Sequence, residues 1–109
     1  MRVFQKKMID TVLMNADIAS TGLPLDYMVG VGVQAVWTGT AGGSIKLQGS
    51  NDGVNWADVP DTTVTVSGAG GTLWNVRDVF YSWIRCSFAN TGGAGMTGHL
   101  NVLANCKGA

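Results

Sequence analysis

The stretch that decides the fold is Met96 to Cys106, MTGHLNVLANC. All six of its even-numbered positions are apolar or small, and four of its five odd-numbered positions are polar. Successive side chains of a β-strand point to opposite faces of the sheet, so this alternation is typical of a strand with one buried face. It predicts that Leu100 and Val102 point into a core and that His99 lies on the exposed side.

The same alternation recurs along the chain. It is clear from Tyr81 to Phe88, where Ile84 and Cys86 fall on one side and Trp83 and Arg85 on the other. Further candidate strands are Met8–Met14, Val31–Thr38, Ser44–Gly49, Thr62–Ser67 and Leu73–Val76. Glycine-rich segments separate these runs, and none has the period of a long amphipathic helix. We therefore expect an all-β fold, an antiparallel, jelly-roll-like β-sandwich of about seven or eight short strands.

The chain of 109 residues has the size of one domain. A composition shift at STGLP, residues 20–24, divides it into an N-terminal arm or edge strand, residues 1–22, and a β-sandwich, residues 23–109. Arg2, Lys6 and Lys7 make the first seven residues basic. Such a segment is suited to docking on an acidic partner surface, and a solvated chain end explains the same charges.

Charge and hydropathy exclude two classes of partner. Seven basic residues balance seven acidic ones, so no global field attracts nucleic acid. No apolar run approaches the length of a transmembrane helix, and no secretory signal follows Met1. We expect neither nucleic acid nor a membrane as a partner.

The residues that could perform chemistry are few. The chain has one histidine and no glutamate, and no nucleophile motif such as GxSxG. We predict that the protein is not an enzyme and that it holds no cofactor or metal. Cys86 and Cys106 both fall on inward faces, and a hairpin through ANTGGAG, residues 89–95, would place Cys86 opposite a residue near Gly98. We therefore expect buried, reduced thiols, which fit assembly in a reducing cytoplasm, and a disulfide contact across the sandwich is the alternative.

The stretch IKLQGSNDGVNWADV, residues 45–59, holds a second candidate site. Asp52-Gly53 favours a tight hairpin turn, because glycine accepts a positive φ. Oxygen-bearing side chains surround it, but they lack the spacing and the closing glutamate of a calcium loop. Trp56 is predicted to pack over the sandwich edge, and stacking on a sugar is the alternative. The candidate contact tip consists of Asn51, Asp52, Asn55 and Trp56.

Three stretches resemble a family of small structural proteins encoded in tailed-bacteriophage genomes. They are VGVQAVWTGTAGGSIKLQGSNDGVNWADV, VSGAGGTLWNVRDVFYSWIRCSF and GMTGHLNVLANCKG, and the resemblance spans about Met28 to Gly108. Its specific parts are the LQGSNDGVNW hairpin, the LWNV segment, the aromatic-Trp-Ile-Arg strand and the last strand. In size and architecture the chain is similar to capsid decoration, or cement, proteins.

The resemblance implies a virion protein on the head surface, assembled in the cytoplasm of the bacterial host. Its expected partners are the major capsid protein and copies of itself, as a dimer or trimer. Tryptophan and arginine concentrate at protein interfaces. The predicted docking residues are Arg2, Phe4, Lys6, Lys7, Asp10, Trp83 and Arg85.

Two alternatives remain open. SNDGVNW also resembles the hairpin of discoidin-like carbohydrate-binding sandwiches, which implies a receptor-binding or carbohydrate-binding module on the virion surface or tail, with the contact tip in contact with the ligand. The other alternative is a structural protein of the tail or of the connector between head and tail.

Overall fold

The computed structural model describes residues 3–25, 28–77, 79 and 81–108. Strands make up its regular structure, and no helix occurs within these ranges. The strands are β1 (Val3–Leu13), β2 (Ile18–Ala19), β3 (Leu23–Pro24), β4 (Met28–Thr38), β5 (Gly42–Ser50), β6 (Ala57–Asp58), β7 (Val64–Ser67), β8 (Gly70–Arg77), β9 (Trp83–Asn90) and β10 (His99–Gly108). No helix long and apolar enough to cross a membrane is present in the part of the chain so described.

The strands form two antiparallel sheets. A four-stranded sheet has the order β1-β10-β4-β8, and a six-stranded sheet has the order β2-β9-β5-β6, with β3 also paired to β9 and β7 to β5. The inner faces of both sheets contribute to one core, so the architecture is a sandwich. The predicted all-β antiparallel β-sandwich is confirmed.

Strand β10 shows how closely the alternation determines burial. Leu100, Val102, Ala104 and Cys106 have no exposed surface, whereas His99 is exposed. β10 lies between β1 and β4, so both of its edges are hydrogen-bonded and its inner face is covered by the opposite sheet. The other core side chains come mainly from β4, β5 and β9, and include Val31, Val33, Ala35, Ile45, Leu47, Ile84 and Phe88.

Two buried tryptophans differ in their hydrogen bonding. Trp74 Nε1 donates to the carbonyl oxygen of Thr62 at 2.8 Å. Trp37 Nε1 has no hydrogen-bond partner among the described residues. An indole N–H buried without a partner loses its hydration, so Trp37 contributes less to stability than its area alone suggests.

The predicted hairpin through residues 89–95 is wrong. β9 belongs to the six-stranded sheet and β10 to the four-stranded sheet, so the chain crosses from one layer to the other. Leu47 is the register partner of Cys86, in place of a residue near Gly98. Alternation shows that each strand has a buried face, but it does not show which sheet the strand joins.

The two cysteines lie on opposing sheets. Both are free and buried, as the alternation predicted. Burial raises the pKa of the Cys86 thiol to about 12, because the thiolate would lose its hydration. At neutral pH this residue behaves as a small apolar side chain.

The N-terminal segment forms the edge of the four-stranded sheet. β1 pairs with β10 from Val3 opposite Lys107 to Leu13 opposite His99. Register shifts occur between Lys7 and Ile9 and again between Ile9 and Val12. Irregularities of this kind blunt an edge strand that would otherwise recruit further strands.

Candidate functional site: the outer faces of the two sheets

The outer face of the six-stranded sheet carries two of the predicted docking residues. Trp83 and Arg85 are half-buried and alternate on β9 with the buried Ile84 and Cys86. Arg85 lies opposite Gln48 of β5, so both project to the same face. We call Trp56, Trp83 and Arg85 the tryptophan–arginine face.

Arg85 is held from two directions. Its Cζ lies 4.5 Å from the centroid of the Trp56 ring, in the range of a cation–π contact. Its Nε donates a hydrogen bond of 2.8 Å to Gln48 Oε1. These contacts orient the guanidinium, and its terminal nitrogens form no hydrogen bond with another described residue.

A polar network continues from Arg85 across the sheet. Gln48 Nε2 donates to Asp58 Oδ1 at 3.0 Å, and Lys46 Nζ donates to Asp58 Oδ2 at 3.0 Å. The hydrogen bond from Gln48 and then that from Lys46 lower the pKa of the Asp58 carboxyl. The Asp58 carboxylate is therefore hydrogen-bonded to Gln48 and Lys46 of the same protein at neutral pH.

Gly22 lets the two tryptophans approach each other. A methyl group at this position would lie 2.9 Å from Trp56 Cη2 and 3.2 Å from Trp83 Cε3. Both rings therefore pack against the backbone of the short segment between β2 and β3. The prediction that Trp56 packs over the sandwich agrees with this position.

The contact tip is a loop organised by one carboxylate. Asp52 Oδ1 accepts the backbone N–H groups of Val54 and Asn55 at 2.9 and 2.8 Å, and Asp52 Oδ2 accepts Asn55 Nδ2 at 2.8 Å. Ser50 Oγ donates to the same carboxylate at 2.9 Å. These donors, the Asn55 backbone first, hold the pKa of Asp52 well below its usual range.

The predicted tight turn is only partly correct. β5 pairs with β6 as a hairpin, but the last register pair is Gly49 opposite Ala57, so the connection is longer than two residues. The positive φ expected of Gly53 is present, at 74°. Asp52 bonds to the amides that follow it, and this local structure replaces a two-residue turn.

The polar side chains of the tip are exposed but hydrogen-bonded within the protein. Asn51 Oδ1 accepts the backbone N–H of Ser82 at 3.2 Å, and Asp52 and Asn55 bond to each other. Val54, an apolar residue of the same loop, is 77% exposed. Among the described residues no cluster of three or more His, Cys, Asp or Glu side chains is placed to hold a metal.

The docking residues of the first strand lie on the opposite sheet. Phe4 is half-buried against the core, whereas Lys6, Lys7 and Asp10 are exposed. Lys7 Nζ lies 3.2 Å from Asp10 Oδ1, and hydrogen bonds from Lys7 and Thr11 lower the pKa of Asp10. Arg2, the remaining predicted docking residue, lies outside the described residues.

Sequence reasoning missed an apolar patch on the outer face of the four-stranded sheet. Leu73 is 70% exposed and Val36 is 41% exposed. Gln34 of β4 lies between Leu73 of β8 and Leu103 of β10 in register, so these side chains share one face. Leu103 is the single odd-numbered apolar residue in MTGHLNVLANC. This exception to the alternation was the sequence feature that indicated an apolar residue on the outer face.

The structure therefore groups the predicted contact residues differently from the sequence analysis. Trp56, assigned to the contact tip, lies beside Trp83 and Arg85, which were assigned to docking. Lys6, Lys7 and the other β1 residues are on the opposing sheet. The molecule thus has two separate outer surfaces with features of contact sites.

The chain was compared with known protein families, curated proteins and solved structures. No protein-family model matches the sequence, and a search of curated proteins found no significant match. Among solved structures, the chain is similar to the SPBc2 prophage-derived protein YomS, with a TM-score of 0.68 and 8% identity over 96% of this chain and 92% of that one. It is also similar to the PBSX exported protein XepA, with a TM-score of 0.69 and 12% identity over 97% of this chain and 37% of that one.

A third similar structure is the C-terminal CBM6 of LamC, a marine laminarinase from Zobellia galactanivorans. Its TM-score is 0.53, with 7% identity over 97% of this chain and 100% of that one. At these identities the similarity shows the fold alone. The fold is thus one that occurs both in phage-derived proteins and in a carbohydrate-binding module.

Proposed function

We propose that this protein is a structural component of a tailed-bacteriophage virion, and more specifically a capsid decoration protein. In this role it binds the major capsid protein on the head surface and bridges neighbouring subunits, as a dimer or trimer. The proposed role involves no catalysis, no cofactor, no nucleic acid and no membrane. The resemblance of its motifs to phage structural proteins and its fold, shared with two phage-derived proteins, support the virion assignment.

The observation that carries the decoration role is the presence of contact features on opposite faces of the sandwich. The tryptophan–arginine face lies on the six-stranded sheet, and the patch around Leu73 and Val36 lies on the four-stranded sheet. A protein that bridges two neighbours needs two such surfaces. Tryptophan and arginine are the residues that most often dominate binding energy, and exposed leucine adds apolar area.

Symmetry would multiply a modest contact. A standard interface buries about 800 Å² on each partner, and a capsid repeats that interface at every equivalent position. The neutral, weakly charged surface of this chain, with 13% charged residues, suits broad contacts without long-range repulsion between copies.

Particles that lack the protein provide the test. We expect added wild-type protein to co-sediment with them and to raise their temperature of disruption. Leu73→Asp should abolish both effects, because a desolvated carboxylate is costly in an apolar contact. Ala94→Asp is the matched control, since it adds the same charge in the exposed loop between β9 and β10. Particles equally stable with and without the wild-type protein would contradict the proposal.

A second candidate function is carbohydrate binding at the tryptophan–arginine face. The observation that favours it is the pairing of Trp56 with Arg85, which puts an aromatic ring next to fixed hydrogen-bond donors. Sugar recognition uses this combination of ring and donors. Binding on a glycan array that is lost with Trp56→Ala would support it, and an array without binding would exclude it for the glycans displayed.

A further inference from the structure

A groove crosses the outer face of the four-stranded sheet near the start of β4. Its volume is about 520 Å³. Gly30 and Gly32 of β4 form its floor, and side chains from the flanking strands β8 and β10 form its walls. The floor is open because neither glycine places a side chain above the sheet.

Two cations face each other across one end of this groove. Gly30 is the register partner of Arg77 on β8 and of Lys107 on β10. Adjacent strands lie about 4.8 Å apart, so the two basic residues leave the sheet about 10 Å from each other. Their side chains are long enough to meet at one anionic group above Gly30.

Two amides face each other at the next position. Gly32 is the register partner of both Asn75 and Asn105, which line the groove. Each amide both donates and accepts hydrogen bonds. Together they match a peptide group, which presents one donor and one acceptor.

The described residues that line the groove carry two positive charges, on Arg77 and Lys107. They include no carboxylate, and neither Arg77 nor Lys107 forms an ion pair with a described carboxylate. Like charges held on facing walls repel each other unless an anion lies between them. Charge complementarity therefore favours an acidic occupant.

The apolar patch begins next to the groove on the same face of the sheet. One step beyond the asparagines, Leu73 and Leu103 flank Gln34. A ligand lying along β4 would thus meet cations, then amides, then aliphatic side chains, at intervals of about 6.6 Å. This is the spacing of alternate side chains in an extended polypeptide, and no aromatic ring among the described lining residues offers a stacking platform for a sugar.

We propose that this groove binds an extended acidic segment of a partner protein. An Asp or Glu carboxylate of the segment lies between Arg77 and Lys107, and its main chain bonds to Asn75 and Asn105. Arg77 supplies a bidentate fork and Lys107 a point charge. The inference deepens the proposed function, on which the identity of the partner as a capsid subunit rests, but the chemistry of the groove can be tested without particles.

The test is a titration of ¹⁵N-labelled protein with the blocked peptide acetyl-Glu-Thr-Ser-Thr-Leu-amide, followed by NMR. Its alternate side chains are acidic, polar and apolar, in the order of the groove. We expect shifts of the Gly30 and Gly32 backbone amides and of the Asn75 and Asn105 side-chain amides. The same peptide with Gln in place of Glu should bind about tenfold more weakly or worse, because the charge-assisted hydrogen bonds are lost.

Two variants and their controls locate the site. Arg77→Gln should weaken binding by a similar factor, whereas Arg85→Gln, which removes the same charge from the other sheet, should not. Gly32→Val should block the groove without altering its charges. A methyl group on Gly32 meets nothing closer than 3.9 Å, so this variant should fold. Gly95→Val, at a site with open space around it, is its control.

Several results would overturn the proposal. They are equal shifts with the Glu and Gln peptides, wild-type binding by Gly32→Val, or no shifts at millimolar peptide. Shifts with an oligogalacturonate but not with the Glu peptide would instead identify a saccharide site. If the variants weaken peptide binding as expected but particles do not bind the protein, the virion role is wrong. The groove is then still supported as a site for an acidic peptide. If particles bind Arg77→Gln and Gly32→Val as well as wild type, the groove is not the docking site and the proposal fails.

Discussion

The guanidinium of Arg85 lies over the indole of Trp56, with Cζ 4.5 Å from the ring centroid. Arg85 belongs to β9 and Trp56 to the loop that follows β5, so the contact ties the loop to the sheet. It also places the two residues on one surface, although the sequence analysis assigned Trp56 to the contact tip and Arg85 to the docking residues. We therefore expect the contact to stabilise the folded protein.

A double-mutant cycle should detect coupling between these two residues. We expect Trp56→Leu and Arg85→Gln to be coupled by about 0.5–1 kcal/mol, the range of exposed cation–π contacts. Urea unfolding of the four proteins measures it. As a control, Trp56→Leu combined with Leu73→Ala, on the opposite sheet, should be additive within about 0.5 kcal/mol. Additive effects for Trp56 and Arg85 would show that the contact has no energetic weight.

The Asp52 loop should respond to acid. A carboxyl whose folded pKa is depressed contributes stability above its unfolded pKa and loses it as pH falls through the folded value. The destabilisation of Asp52→Ala relative to wild type should therefore be constant near neutral pH and shrink as pH falls below 3.8, the ordinary value. Urea unfolding across this range measures the difference.

Asn51→Ala is the control for this experiment. It removes an uncharged acceptor from the same loop, where Asn51 Oδ1 accepts from Ser82. Its cost should not change with pH. A cost of Asp52→Ala that stays flat to the lowest pH would contradict the account of the loop.

The two buried tryptophans should respond differently to replacement by phenylalanine. Trp74→Phe leaves the Thr62 carbonyl without the bond of 2.8 Å, whereas Trp37→Phe removes an N–H that has no partner among the described residues. We expect Trp74→Phe to cost about 1–2 kcal/mol more than Trp37→Phe. Thermal and urea unfolding compare them, and an equal cost would show that the Trp74 bond adds nothing.

Substitutions at a core position and at a surface position, one on each sheet, should differ clearly in their effect on stability. Ile84 is fully buried, and Ile84→Ala should cost about 2–4 kcal/mol through lost burial and a cavity. Val36 is 41% exposed, and Val36→Ala should stay within about 0.5 kcal/mol of wild type. A circular dichroism melt compares the two variants. A small effect of Ile84→Ala would contradict the assignment of β9 to the core.

Alternation along the chain is enough to predict the longer strands and their buried faces, but it does not show the two-residue strands β2, β3 and β6, so the structure has ten strands where seven or eight were expected. Leu100 and Val102 are buried and His99 is exposed because a covered strand requires that pattern. Alternation does not encode the partner of a strand, so the crossing of residues 89–95 between sheets could not be read. Pairing over long separations depends on how whole sheets stack.

The candidate sites show the same limit. The polarity of Arg85 and of Lys107 places each on an outer face, and this much is present in the sequence. The position of Trp56 under Arg85 depends on a loop conformation set by Asp52. The alignment of Arg77 with Lys107 depends on β4 lying between β8 and β10. Neither of these two relationships can be predicted from the residues next to each position in the sequence.

The most direct test of the central claim is cryo-electron microscopy of a virion that carries this protein. We expect density on the head surface that straddles neighbouring capsid subunits. The outer face of the four-stranded sheet, with Leu73, Arg77 and Lys107, should contact the shell. Density at the tail tip with the residue 51–56 loop pointing outward, or in a ring at the tail or connector, would contradict the decoration role.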